Sequence, residues 1–79
     1  MHRKVPLEID DTMADILEVF VRTDGYATTG YLTDEVGVSR PTISKRLDRL
    51  YAAGCIDYVH RPTAFWRLNR DPRGETVSE

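Results

Sequence analysis

The densest group of side chains able to do chemistry lies in residues 38–50, VSRPTISKRLDRL. Ten consecutive positions there hold four of the eleven basic residues, although the formal net charge of the chain is −2. The basic residues are Arg40, Lys45, Arg46 and Arg49, and hydroxyl groups lie between them at Thr42 and Ser44. Guanidinium and ammonium groups donate hydrogen bonds to anionic oxygens, and arginine can also bond the O6 and N7 acceptors of guanine. The segment could bind a phosphate backbone and its bases if one element presented these side chains together.

A helix from about residue 39 to residue 53 would present them in this way. Ser39 is a suitable N-cap, Pro41 fits the first turn, where its missing N–H costs nothing, and Gly54 ends the pattern. The apolar residues recur at helical spacing, at Ile43, Leu47 and Leu50. On a helical wheel the side opposite this stripe holds Pro41, Thr42, Lys45, Arg49 and Ala52, with Ser44 and Arg46 at its margins. The basic residues should therefore point away from the core.

Two further helices are predicted before this one. The first runs from about Asp11 to Arg22, with the apolar stripe Met13, Ile16, Leu17 and Phe20. The second is short, from about Thr29 to Val36, with Thr28 as its cap and Gly37 as its C-terminal stop. Its expected apolar contacts are Tyr31, Leu32 and Val36.

Residues after Gly54 change to a strand pattern. Cys55–His60 and Ala64–Leu68 are rich in β-branched and aromatic residues and flank the turn signal at 61–63, which predicts a β-hairpin. We expect Ile56, Trp66 and Leu68 to close over the helices, with Asp57 and Arg67 facing water. The aromatic residues expected in the core are Tyr51, Tyr58, Phe65 and Trp66. The single cysteine, Cys55, excludes an internal disulfide and is expected to be a packing residue.

Two helices joined by a short glycine-containing turn form a helix-turn-helix, and a following hairpin makes the order that of a winged helix. Residues 27–59, ATTGYLTDEVGVSRPTISKRLDRLYAAGCIDYV, resemble the core of winged-helix transcriptional regulators of the MarR and ArsR kind, and the likeness extends to a wing at TAFWRL. The acidic first helix and short wing are also similar to small phage-repressor-like winged-helix proteins of haloarchaea. The resemblance implies a mainly α (α+β) fold, a three-helix winged helix-turn-helix with a C-terminal β-hairpin wing. We expect this domain over residues 1–70 and a polar, disordered tail over 71–79.

In such a unit the helix at about 39–53 lies in the major groove of double-stranded DNA. Arg40, Thr42 and Lys45 are then expected nearest the bases, and Arg46 and Arg49 at the phosphate backbone. The complete set of predicted DNA-binding residues is Thr28, Thr29, Ser39, Arg40, Pro41, Thr42, Ser44, Lys45, Arg46, Arg49, His60 and Arg61. Thr28 and Thr29 lie at the start of the second helix, while His60 and Arg61 lie at the tip of the wing. The plainer alternative is a solvated basic face on which Asp48 pairs with neighbouring arginines.

The predicted function is a sequence-specific DNA-binding transcriptional regulator, a repressor that occupies an operator. The alternative is a protein–protein adaptor that does not bind DNA and uses the negative face formed by Asp10, Asp11, Asp15 and Glu18. No enzyme is expected, because the sequence has no nucleophile–base pair, metal cluster or phosphate-binding glycine loop. We expect no cofactor, small-molecule ligand or membrane association, and a cytoplasmic location. The sequence does not decide between a monomer and a homodimer. A homodimer would use the first helix, the N-terminal arm or the tail and would bind inverted half-sites about one DNA turn apart.

Overall fold

A computed structural model describes residues 7–73 of the 79-residue chain. Its elements in chain order are α1 (Asp11–Arg22), β1 (Tyr26–Thr28), α2 (Thr29–Val36), α3 (Arg40–Ala52), β2 (Ile56–His60) and β3 (Phe65–Leu68). The helices and the hairpin have the predicted order, and their bounds agree with the sequence pattern to within one residue. This confirms the α+β three-helix winged helix-turn-helix with its C-terminal β-hairpin wing.

Capping residues define where each helix begins and ends. The N-caps are Asp10, Thr28 and Ser39, whose side-chain oxygens accept hydrogen bonds from the backbone N–H three residues on, at 2.9, 3.1 and 3.4 Å. Each bond satisfies one of the N–H groups that a helix start leaves without an intrahelical partner. Gly37 ends α2 with a φ of +81°, a conformation that glycine adopts without steric cost. The chain can therefore reverse within three residues between α2 and α3.

A third strand joins the predicted hairpin. The short strand β1 pairs antiparallel with β3, so the sheet order is β1-β3-β2. Tyr26 lies opposite Arg67, and Thr28 lies opposite Phe65. Three residues are too few to show a strand period in the sequence, which is why the pattern predicted only two strands. Because β1 runs directly into α2, the pairing fixes the start of α2 against the wing.

The core is built from the predicted helical stripes and the inner side of the sheet. Buried side chains from the helices include Met13, Ile16, Leu17, Phe20, Leu32, Ile43, Leu47 and Leu50. Cys55, Ile56 and Trp66 close the core from the sheet, as predicted, with Leu68 packed at its margin. Asp57 and Arg67 are exposed, which confirms that they face water.

Two tyrosines expected to pack inside are exposed instead. Tyr31 lies about 100° around α2 from the buried Leu32, so an eight-residue helix with a narrow buried side leaves it 44% exposed. Tyr51 is 40% exposed and lies at the junction of α3 with the wing. The predicted apolar contact of Tyr31 and the predicted core position of Tyr51 are therefore wrong. Tyr58 and Phe65 are half-buried.

The described chain continues three residues past the predicted end of the domain. The Arg73 guanidinium bonds the Asp71 carboxylate at 2.7 Å and lies 3.5 Å from the Glu18 carboxylate of α1. The rest of the predicted tail, residues 74–79, lies outside the described residues, as do residues 1–6, so the predicted domain boundary and disordered tail stay predictions. Within residues 7–73, no helix is long and apolar enough to cross a membrane.

Candidate nucleic-acid interface

Helix α3 presents its basic residues away from the core. Its buried side chains, Ile43, Leu47 and Leu50, face the other helices, while the opposite side is open to solvent. Lys45 and Arg49 lie on that side, and Arg40 is exposed at the start of the helix; we name these three exposed cations the basic face. None of the three forms a salt bridge with any residue in the range 7–73. Their charge is therefore available to an anion from outside the chain.

The start of α3 adds hydroxyl groups to this surface. The Ser39 and Thr42 hydroxyls lie 2.9 Å apart, and Ser39 also caps the helix. Pro41 is exposed between them, whereas Thr42 and Ser44 are partly covered. Helix N-termini favour anions through their free N–H groups and dipole. The predicted residues from 39 to 45 thus lie together at one end of the exposed side of α3.

Arg46 differs from the other basic residues of α3 because it has a partner inside the chain. Its guanidinium binds the Asp10 carboxylate, with Nη2 to Oδ2 at 2.8 Å and Nε to Oδ2 at 3.0 Å. The hydrogen bond from Arg46, together with the backbone N–H of Met13, lowers the pKa of Asp10 below its usual value of 3.8. Only 20% of the Arg46 side chain is exposed. Arg46 therefore ties α3 to the start of α1, and its charge is already compensated.

Thr29 is turned into the protein. Its side chain is only 4% exposed, and its hydroxyl oxygen accepts a hydrogen bond from the Trp66 indole N–H at 2.9 Å. Its backbone N–H donates to the Ala64 carbonyl at 3.0 Å. Because the side chain is buried and the backbone N–H is already bonded, Thr29 joins α2 to the wing and does not present a donor to a phosphate, contrary to its predicted role as a phosphate contact. Its neighbour Thr28 is partly exposed and caps α2.

The wing tip folds Arg61 back toward α3. The Arg61 guanidinium lies 4.3 Å from the centre of the Tyr58 ring, and its Nη2 donates to the Tyr51 hydroxyl at 3.3 Å. Tyr58 in turn stacks on Trp66 with ring centres 4.0 Å apart. The exposed His60 has its Nδ1 2.9 Å from the Thr63 hydroxyl. The predicted wing residues are both at the surface, and Arg61 is held beside the C-terminal end of α3.

Tyr51 and Tyr58 were missed as site residues because their ring size favoured a core position. The available signal was their hydroxyl groups, since a tyrosine can pack its ring while its oxygen stays at the surface.

An open groove of about 140 Å³ separates α3 from the wing. The α3 side is lined by Arg40, Ser44 and Asp48, which are spaced four residues apart and so share one side of the helix. The wing side is lined by Tyr58 and Ala64. The groove therefore connects Arg40 of the basic face with the wing.

Carboxylates collect on the outer side of α1. Asp11, Asp15 and Glu18 are exposed there, and we name them the acidic face. Arg22 pairs with Glu35 of α2 at 3.6 Å, next to this face. Because α1 and α3 bury their inner sides in the same core, the acidic and basic faces point in different directions. Among residues 7–73 no three His, Cys, Asp or Glu side chains are grouped so that they could hold a metal ion.

Comparison with known families identifies the family to which the chain belongs. A family model described as winged helix-turn-helix DNA-binding matches residues 9–57, which is more than half of the sequence and runs from the start of α1 into β2. The chain belongs to this family of winged helix-turn-helix DNA-binding domains. Neither the curated proteins nor the solved structures include one that matches it. The finer likeness to MarR, ArsR or haloarchaeal regulators stays a prediction.

Proposed function

We propose that the protein is a sequence-specific regulator of transcription that binds double-stranded DNA with α3 in the major groove and represses by occupying its operator. It would act by binding alone, without catalysis. The observation that carries this proposal is the basic face, three exposed cations without ion-pair partners in residues 7–73, in a chain of net charge −2. Internal carboxylates are abundant, yet none in residues 7–73 lies within salt-bridge distance of these cations, and Arg49 attracts the Asp10 carboxylate only at longer range. A phosphate backbone would supply the missing negative charge.

Arg40, which the sequence predicted nearest the bases, would instead contact a phosphate. A Cβ added to Gly30 would lie 3.9 Å from the Arg40 Nη1 atom, so the guanidinium lies beside the first turn of α2. The dipole of α2 also favours an anion at that end. Thr42 and Lys45 are then the predicted residues that remain nearest the base edges, where threonine can bond a base or contact a thymine methyl.

The wing would supply a second contact. Arg61 is held by the Tyr51 hydroxyl and the Tyr58 ring, so it gives up less side-chain freedom when it meets a phosphate. Because the groove lies between α3 and the wing, a bound duplex would contact α3 on one side of the groove and the wing on the other. Phosphate contacts would supply affinity, while α3 would supply sequence discrimination.

The proposal is tested by fluorescence-anisotropy titration of a random duplex DNA pool over a salt series. The variants are Lys45→Ala and Arg49→Ala, with Arg22→Ala as a control that removes the same charge from α1. We expect steep salt dependence, and the slope of log K against log salt should become shallower by about 0.9 for each phosphate that a variant no longer neutralises. Both α3 variants should bind more weakly than Arg22→Ala. Sites selected from the pool would show whether half-sites are inverted, as a dimer requires.

Two results would contradict the proposal. Absence of binding at low salt by folded wild-type protein would remove DNA as the ligand and favour the adaptor. An equal loss of affinity in all three variants would show a response to net charge rather than binding through α3.

A further inference from the structure

Asp48 is a carboxylate on the surface of α3 that is proposed to meet DNA. It is exposed, follows Lys45 by three residues and directly precedes Arg49. No hydrogen bond or salt bridge joins it to another side chain within residues 7–73. The alternative in which Asp48 neutralises neighbouring arginines is therefore not what the structure has. Its negative charge is available to an external partner, as the charges of the basic face are.

The position of Asp48 keeps it inside the proposed interface. It shares one side of α3 with Arg40 and Ser44 and lines the groove opposite Tyr58. The groove lies between α3 and the wing, the two elements proposed to bind DNA. A duplex bound to both elements would pass over Asp48.

A carboxylate at this position weakens binding, because most of the groups on the DNA surface are phosphates or hydrogen-bond acceptors. Ionised aspartate has only acceptor oxygens, and phosphates repel it. The major groove offers amino groups as donors, and the N4 amino group of cytosine is a known partner of aspartate and glutamate. Asp48 would thus weaken binding to every sequence except those with an amino group at the matching position.

We propose that Asp48 is a specificity-determining residue that accepts a hydrogen bond from the N4 amino group of a cytosine in the major groove. This inference rests on the proposed function and names one of the bases that α3 reads. It also assigns to the groove beside the wing a part in sequence discrimination rather than in phosphate binding alone.

The test is selection from a random duplex pool by wild-type protein, Asp48→Asn, Asp48→Ala and the charge control Asp15→Asn. Asp15 is an exposed carboxylate on the acidic face of α1. We expect wild type to prefer cytosine at one position by about 5- to 150-fold, the range for one good base contact. Asp48→Asn should move the preference at that position toward adenine, whose N6 and N7 an asparagine amide can bond together. Asp48→Ala should lose the preference, and Asp15→Asn should keep it.

The possible failures are separable. Tighter binding of both Asp48 variants to every sequence, with the selected site unchanged, would overturn the inference and show that Asp48 acts only by repulsion. Selection of no site by wild type would instead overturn the proposed function, and with it this inference. Asp48 is exposed and has no side-chain partner in the described range, so the variants should fold, and their circular dichroism spectra would verify this.

Discussion

The buried hydrogen bond from the Trp66 indole to the Thr29 hydroxyl gives a sharp stability prediction. Thr29→Val keeps the branched shape and has a similar helix propensity, but it replaces the acceptor oxygen with a methyl group. The indole N–H would then be buried without a partner, because both residues are less than 5% exposed. Leaving such a donor unsatisfied costs about 1–3 kcal/mol. For a domain of this size, a destabilisation of about 2 kcal/mol lowers Tm by roughly 8–16 °C.

Urea unfolding followed by far-ultraviolet circular dichroism measures this destabilisation. Thr29→Ser is the matched control, because it keeps the oxygen and should cost only about 0.8 kcal/mol for one buried methyl group. A double-mutant cycle with Trp66→Phe isolates the bond, since Thr29→Val should cost little once the N–H is gone. Wild-type stability of Thr29→Val, or an equal destabilisation in the Trp66→Phe background, would refute the assignment of the bond.

Two further predictions concern the ends of helices. Asp10→Asn keeps an N-cap for α1 but removes the carboxylate that binds Arg46. Because the hydrogen bond from Arg46 lowers the pKa of Asp10 in the folded protein, the ionised carboxylate stabilises wild type above about pH 3.8. That stabilisation is lost as the pH falls through the folded pKa. Urea midpoints measured against pH should therefore fall less steeply in acid for Asp10→Asn than for wild type, and identical slopes would contradict this. Gly37→Ala should destabilise by about 1 kcal/mol because φ is +81° there, whereas Gly30→Ala in α2, with its nearest neighbour at 3.9 Å, should stabilise by up to about 1 kcal/mol. Thermal denaturation measures both effects. Destabilisation of both alanine variants would contradict the explanation that the backbone φ angle decides the sign of the change.

The helices were predictable because their signals are local. The capping oxygen of Thr28 or Ser39 lies three residues from the N–H that it accepts, and the apolar stripes repeat within one helix. The strand β1 has no such signal, since its three residues form a strand only by pairing with β3, about forty positions later. Local pattern therefore predicted the order of elements but not the whole sheet.

The candidate site likewise has features that local sequence pattern predicts and features that only tertiary contacts determine. The exposure of Lys45 and Arg49 followed from helical spacing and that of Arg40 from its position near the helix start, and the structure confirms all three. The partners of Arg46 and Thr29 lie 36 and 37 residues away in the chain, so no local pattern could show that these two residues are engaged. Sequence thus identified which residues could reach the surface, while tertiary contacts decided which of them are free.

The separation of the acidic face from the basic face has a consequence for how the protein would search DNA. The Cα atoms extend 37 × 22 × 22 Å, whereas the Debye length at physiological salt is about 8 Å. A duplex would therefore feel mainly the nearer face, and a chain of net charge −2 that arrives with α1 forward would be turned away. Productive encounters would be restricted to one orientation, so association would be slower than for a protein with the same basic face and no acidic face. Because salt screens both faces, this difference would shrink as the ionic strength rises.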